Sequence, residues 1–409
     1  MFKPVFHHQL FCQVFYLLPF FAARRTFRNA DLPEGIQNPL DGAIQVPVRL
    51  MIIGSEKGDI MKKTIKFRSL CFVILIMVFI GHAQPASSAG NQMKVAALLD
   101  FSGHYSQFGR ETRQAMELAL EETKNIEVHF FDTKSDLKVA DHLLTGVIEK
   151  GDYQVVVTFA SWISNGLAAR IQSGHMLQMA VGSAVFDHAD QKNCVRFTGD
   201  VRNEIQYLTN YLKKYEKVAV MYFHNDYGIS WNNALKSALK NKLVKSVSYK
   251  DTDRIFTDSL KAIKKAKPDA LVLISTKEAA QIAKQASEIR LQAALFGARP
   301  TLTNWLLAEP AAGGLMFSYP DLQETLPVFA SFKNQYGYRM SAFGAEGYDL
   351  IKSLDGFCRR EMANKTMFAN YANKTYDGAL GQISFNENAQ ADYRYAIFLI
   401  KNSSWEKMK

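Results

Sequence analysis

From Lys94 onward the chain alternates short, unbroken apolar runs with longer stretches whose apolar residues recur every three or four positions. Runs of the first kind predict strands covered on both faces, and stretches of the second kind predict amphipathic helices. Strands are expected over 95–99, 126–131, 155–159 and 176–181, with helices over 110–123, 139–149 and 165–172 between them. The rhythm then starts again. Helices are expected over 204–214, 231–240, 257–267 and 278–290, and strands over 218–222, 244–249, 270–274 and 294–296. Such alternation gives parallel sheets with helices on both faces, and its repetition gives two α/β lobes. After about Gly314 the regularity loosens; helices over 326–336 and 345–360 and a strand over 395–401 remain legible.

The segment 61–89 has a different pattern. A basic start, Met61-Lys62-Lys63, leads into an apolar run from Leu70 to Ile80, and Ser87-Ser88-Ala89 supplies small residues for cleavage. The run falls short of the ~20 residues needed to cross a bilayer, so a cleaved signal peptide and a periplasmic destination are expected, with a short N-terminal membrane anchor as the alternative. Residues 1–60 show no sustained periodicity, and the expectation is that Met61 is the true start or, failing that, that 1–60 is disordered.

Composition narrows the classes further. The chain has 409 residues and a net charge of +10, but ten Lys/Arg against five Asp/Glu fall within the first 89 residues. The remainder is mildly basic with both signs interspersed, and no basic run interleaved with aromatics points to nucleic acid. Cys194 and Cys358 are the cysteines of the body; they form no metal-binding pattern, and either a disulfide or two free thiols is possible. Nucleotide, zinc-protease and serine-hydrolase motifs are absent, the histidines of the body occur singly, and no cofactor, metal or catalytic residue is expected.

Several motifs together carry a likeness. Asp100-Phe101-Ser102-Gly103 with Phe108-Gly109 precedes a helix, and Phe131 to Asp136 forms an acidic loop. Asn225-Asp226-Tyr227-Gly228, Gly344-Ala345-Glu346-Gly347-Tyr348-Asp349 and Gly381-Gln382-Ile383-Ser384-Phe385-Asn386 follow in order. In this order and spacing the chain resembles the periplasmic type I solute-binding proteins of ABC importers, the leucine/isoleucine/valine-binding family. The resemblance implies two doubly wound parallel-sheet lobes joined by a three-segment hinge. Lobe 1 would hold 94–200 plus 318–385, and lobe 2 would hold 201–317 plus 386–409. It also implies a monomer that closes around a small amino-acid-like, amide or carboxylate ligand and docks on an ABC permease. A periplasmic sensor or scaffold acting on a partner protein is the alternative that the fold equally allows.

Ligands of open parallel sheets bind at the carboxyl ends of strands, where helix N-termini offer free N–H groups. The loops concerned here contain Ser102, Ser161-Trp162, Ser183-Ala184, Asn225 to Tyr227, Thr276 and Arg299. Ser161 could equally cap its helix, and Trp162 could be a packed interface residue. The resemblance adds Phe108 as an aromatic of the first loop and Tyr227 from lobe 2, although either suits hinge packing. It also puts Ser183 at a ligand-binding position and Ala184 where amino-acid binders commonly carry threonine. Arg299 stands where such relatives carry glutamate for the ligand ammonium, which implies an anionic or neutral-polar ligand. The alternative is that Arg299 faces solvent or pairs with an internal acid. His104 lies near the same crevice.

Overall fold

Strands β1 (Met93–Leu99), β2 (Ile126–Asp132), β3 (Val155–Phe159), β4 (Leu177–Val181) and β5 (Cys194–Arg196) form one sheet. Its order is β2-β1-β3-β4-β5, parallel throughout. Helices α1 (Ser106–Glu121), α2 (Leu137–Lys150) and α3 (Ser161–Ser173) connect them. The computed structural model describes residues 92–185, 193–250, 252–358 and 364–408; the expected signal peptide and the segment before it lie outside the described residues.

The alternation of a strand's side chains explains why β1 is apolar without a break from Val95 to Leu99. Val95, Ala97 and Leu99 pack with Ala115 and Met116 of α1, whereas Ala96 and Leu98 pack on the opposite face with Leu144 of α2 and Leu167 of α3. Helix boundaries are set by local chemistry. Asp136 caps α2 by accepting from Lys138 N at 2.7 Å, and Gly151 ends it with φ +68°.

After α4 (Val201–Leu212) the second sheet begins with β6 (Val218–Phe223), α5 (Asp226–Leu239), β7 (Leu243–Tyr249), α6 (Thr257–Lys265) and β8 (Ala270–Ile274). It continues through α7 (Glu278–Glu288), β9 (Ala294–Gly297), α8 (Asn304–Ala308) and β10 (Met316–Pro320). The chain then returns to the first lobe as α9 (Pro327–Tyr336), α10 (Ala342–Cys358) and α11 (Asn364–Tyr371). A small antiparallel sheet follows, β11 (Thr375–Gly378), β12 (Gly381–Phe385) and β13 (Ala391–Asp392). The chain ends in the second sheet as β14 (Tyr395–Lys401) and β15 (Ser404–Lys407), giving the order β15-β14-β10-β9-β8-β6-β7.

The chain thus passes between the lobes three times. Two passages come later than the sequence suggests. β10 stays paired with β14 as far as Pro320, and β13 pairs with β12 as far as Asp392, so the changes of sheet follow those residues instead of falling at 318 and 386. A bridge from Arg196 to Gln390 ties the small sheet to the first lobe.

β5, β10, α8, α11 and β15 escaped the periodicity. β10 reads Met-Phe-Ser-Tyr-Pro, with a buried Ser318 in its middle, and the others are short. Cys194 is wholly buried, Cys358 is half-buried beside Met93, and both are free thiols. Among the described residues no helix is long and apolar enough to cross a membrane.

Candidate functional site

Each sheet has one place where neighbouring strands send their chains to opposite sides: β1 beside β3 in the first, β6 beside β8 in the second. The loops leaving such a pair diverge and open a crevice. Here the two crevices face one another across a cleft of about 320 Å³, lined by residues from both lobes. That volume lies near the lower end of the roughly 300–1,000 Å³ usual for small-molecule sites.

On the first lobe, Asp100 shapes the loop after β1. Its carboxylate accepts Gly103 N at 2.6 Å, Tyr105 N at 2.8 Å and the Ser135 hydroxyl, which delivers His104 and Tyr105 to the cleft. After β3, Ala160 adopts φ +74° and ψ 146°, a region that side chains other than glycine's rarely occupy. This backbone turn starts α3 inside the cleft lining, with Ser161 and Trp162 in its first turn and no side-chain cap on its free N–H groups. After β4, Gly182 has φ +60°, and a Cβ there would come within 2.7 Å of the Phe159 ring, so only glycine fits.

On the second lobe, Asn225 caps α5 by accepting Gly228 N at 2.9 Å and donates its side-chain amide to Tyr105 Oη across the cleft at 3.2 Å. A second crossing joins His104 Nε2 to Thr276 Oγ1 at 3.1 Å, and Thr276 in turn donates to the buried Glu278 at 2.9 Å. The His104 ring also stacks on Phe223, with centroids 5.5 Å apart and planes 18° apart. Tyr105, Phe159, Trp162, Phe223, Tyr227 and Phe343 give the lining a strongly aromatic character.

Beneath this lining runs a buried polar network. Arg299 follows β9 and lines the cleft; its Nη1 donates to Glu346 of α10 and to Tyr393 Oη at 3.2 Å. The guanidinium carbon also sits 4.5 Å from the centre of the Phe343 ring. The backbone N–H of Arg299 donates to Glu204 at 2.7 Å, and Tyr227 Oη donates to the other Glu204 oxygen at 3.1 Å. Burial pushes the Glu204 carboxyl up, opposed by Arg299 beside it and by these hydrogen bonds. Burial works against the Arg299 charge as well, but Glu346, Tyr393 and Glu204 more than offset it and hold the guanidinium protonated.

The cleft gathers Ser161, Trp162, Ala184, Tyr227, Thr276 and Arg299 from the sequence-derived candidates. Ser161 does not cap α3; it is the first residue of that helix, and its hydroxyl accepts Val185 N at 3.2 Å. Trp162 packs against Tyr105, with centroids 5.0 Å apart. Arg299 combines two of the alternatives, a cleft position and an internal acid partner. Three candidates lie outside the lining. Ser102 is exposed and donates to Asp132 at 2.6 Å, because the Asp100-centred turn carries His104 and Tyr105 inward in its place. Phe108 is buried behind the wall, stacked on Phe343 at 4.3 Å. Ser183 is fully buried, since the turn at Gly182 brings residues 182 and 184 to the cleft and puts 183 behind them.

Sequence reasoning missed Glu204, Glu346 and Tyr393 as members of the network and Phe159, Phe223 and Phe343 as lining. Glu346 belonged to a motif already singled out, and its spacing within an apolar helix was the available signal.

Comparison with known proteins agrees with this architecture. The sequence pattern described as "Periplasmic binding protein" matches residues 92–404. Among solved structures, an extracellular ligand binding receptor from Desulfohalobium retbaense shares 30% identity with a TM-score of 0.74 over 78% of this chain, which spans 60% of the receptor's length. The branched-chain amino acid transporter substrate binding protein LivJ from Streptococcus pneumoniae, solved with isoleucine, has a TM-score of 0.72 at 18% identity and covers 78% and 99% of the two chains. An ABC transporter solute binding protein from R. palustris, in complex with benzoate, has a TM-score of 0.69 at 18% identity over 78% and 95%. No curated protein matches.

Proposed function

Because the chain belongs to the periplasmic binding protein family, we propose that it is the extracytoplasmic solute-binding component of an ABC importer, closing around a small polar ligand. The observation that carries this reading is the cleft itself: strand-end loops of two sheets face one another and share cross-lobe hydrogen bonds at its mouth. A ligand touching both walls binds the closed form more tightly than the open one, and that difference shifts the population toward closure. The closed shape is what a membrane permease would recognise. Micromolar affinity, about −8 kcal/mol, would favour closure without trapping the solute.

The lining favours a carboxylate. The uncapped start of α3 offers N–H groups and a partial positive charge, the Ser161 hydroxyl stands beside them, and Arg299 reaches the cleft from the other lobe. An ammonium group would meet a guanidinium, and among the described residues the one carboxylate in the lining, Asp226, is exposed. Among the relatives, one holds an amino acid and another benzoate; the aromatic walls here suit an apolar body behind a carboxylate head.

Mass spectrometry of the solute retained on natively purified protein, with calorimetry against benzoate, 4-methylpentanoate and leucine, tests the proposal. Arg299→Ala is expected to weaken binding of the carboxylates by roughly 10–100-fold, the usual worth of a hydrogen bond to a charged group. Unchanged affinity for every ligand would remove Arg299 from the site.

A further inference from the structure

We propose that Glu346, which lies outside the cleft lining, sets the charge of the solute that the cleft accepts; the inference rests on the carboxylate reading above. Glu346 comes from α10 of the first lobe and is wholly buried. One of its oxygens takes Nη1 of Arg299 and the hydroxyl of Tyr393 at 3.2 Å; the other takes Gly182 N at 2.8 Å and Thr198 Oγ1 at 2.9 Å. Four donors therefore fix this one carboxylate. Two of them, Arg299 and Gly182, line opposite walls of the cleft.

The arrangement ties down the guanidinium. Its Nη1 edge belongs to the protein through Glu346 and Tyr393, while the residue as a whole lines the cleft. An entering acid thus meets a cationic edge that is already balanced from behind. The pair carries no net charge, and the buried Glu204 beside Arg299 adds no attraction for an acid, so the cleft reads a carboxylate mainly through oriented donors and only weakly through Coulomb attraction. A neutral amide of the same shape can compete for those donors. An α-ammonium meets the guanidinium first and gains little from a carboxylate that is fully partnered. Glu346 is a positioning residue: it holds Arg299 in place and damps its field.

The test compares matched probes that differ by one charge, benzoate with benzamide and 4-methylpentanoate with 4-methylpentanamide, by calorimetry at pH 7.5. Glu346→Gln keeps the shape and an acceptor but removes the balancing charge. The acid-over-amide affinity ratio is expected to rise on the order of ten-fold, because a nearby opposing charge has been taken from a poorly screened site. Glu346→Asp is expected to return the ratio to the wild-type value even if both affinities fall. A purely structural role would move acid and amide together, and an unchanged ratio in a folded Glu346→Gln protein overturns the inference alone. If that variant does not fold, the charge-free double variant Arg299→Met with Glu346→Gln carries the test. Its ratio should exceed that of Arg299→Met alone, where the Glu346 carboxylate is unopposed, and equal ratios in the two variants overturn the inference. Wild-type protein that takes none of the four probes would instead overturn the carboxylate reading, and the inference with it.

Discussion

Glu111 lies buried on α1, where its carboxylate accepts the backbone N–H of Ser341, and burial pushes its pKa up to about 7. A carboxyl whose folded pKa exceeds its unfolded value stabilises the fold below the unfolded value, near 4.5, and that contribution is lost as pH rises through about 7. Glu111→Gln should therefore flatten the fall in stability between pH 5 and pH 8 and make the protein roughly 1–2 kcal/mol more stable at pH 8. Denaturant unfolding at the two pH values checks this; a variant with the wild-type pH dependence would contradict it. Asp349 is a parallel case, pushed up to about 7 by burial while accepting Ala379 N at 2.7 Å and Leu380 N at 2.9 Å. At this scale the sequence was partly legible. Arg299 could be placed by counting to the end of β9, whereas its partner Glu346 lies 47 positions away on another lobe, and local spacing carries no trace of such a pairing.

The seam between α1 and α10 shows how helices place the site. Thr112 of α1 donates to Phe108 O at 2.9 Å and to Phe343 O at 3.2 Å, and α10 contributes both Phe343 and Glu346. The two helices approach closely at Gly347, where a Cβ would fall 2.6 Å from Thr112 O and 3.0 Å from Thr112 Cγ2. Gly347→Ala should push α10 away and cost about 1–3 kcal/mol, read as a lowered melting temperature. An unchanged melting temperature would mean that the seam yields freely. Strand positions and helix cores were legible because each is buried by one regular face. Helix starts were not. α3 begins at Ser161 and α5 at Asp226, several residues before their apolar periodicity sets in, because their first turns face the cleft. Residues that face the cleft interrupt the pattern that announces a helix, so the turns lining it were the least visible.

Over the whole molecule, polar contacts cross between the lobes at several places, among them His104 to Thr276 and Asn225 to Tyr105 at the cleft, Ala342 N to Tyr319 Oη at 2.8 Å, Arg339 Nη1 to Trp405 O at 3.0 Å and the buried Arg299–Glu346 ion pair. His104→Ala removes one crossing and the stack on Phe223. The unliganded protein should then rest more open, with a larger radius of gyration in small-angle scattering and an affinity roughly two- to ten-fold weaker for benzoate, provided benzoate binds the wild type. Identical scattering from variant and wild type would show that this contact does not hold the lobes. The tandem lobes were legible from the restarting rhythm of strands and helices, but the late passages between them were not, since β10 and β13 are short and partly polar. The two free thiols bear on redox sensitivity. Cys194 is sealed inside the first sheet and Cys358 has its pKa pushed up to about 11 by burial, so both stay protonated and poorly nucleophilic. With no covalent staple between them, a reductant in the surroundings of this body would find no bond there to break.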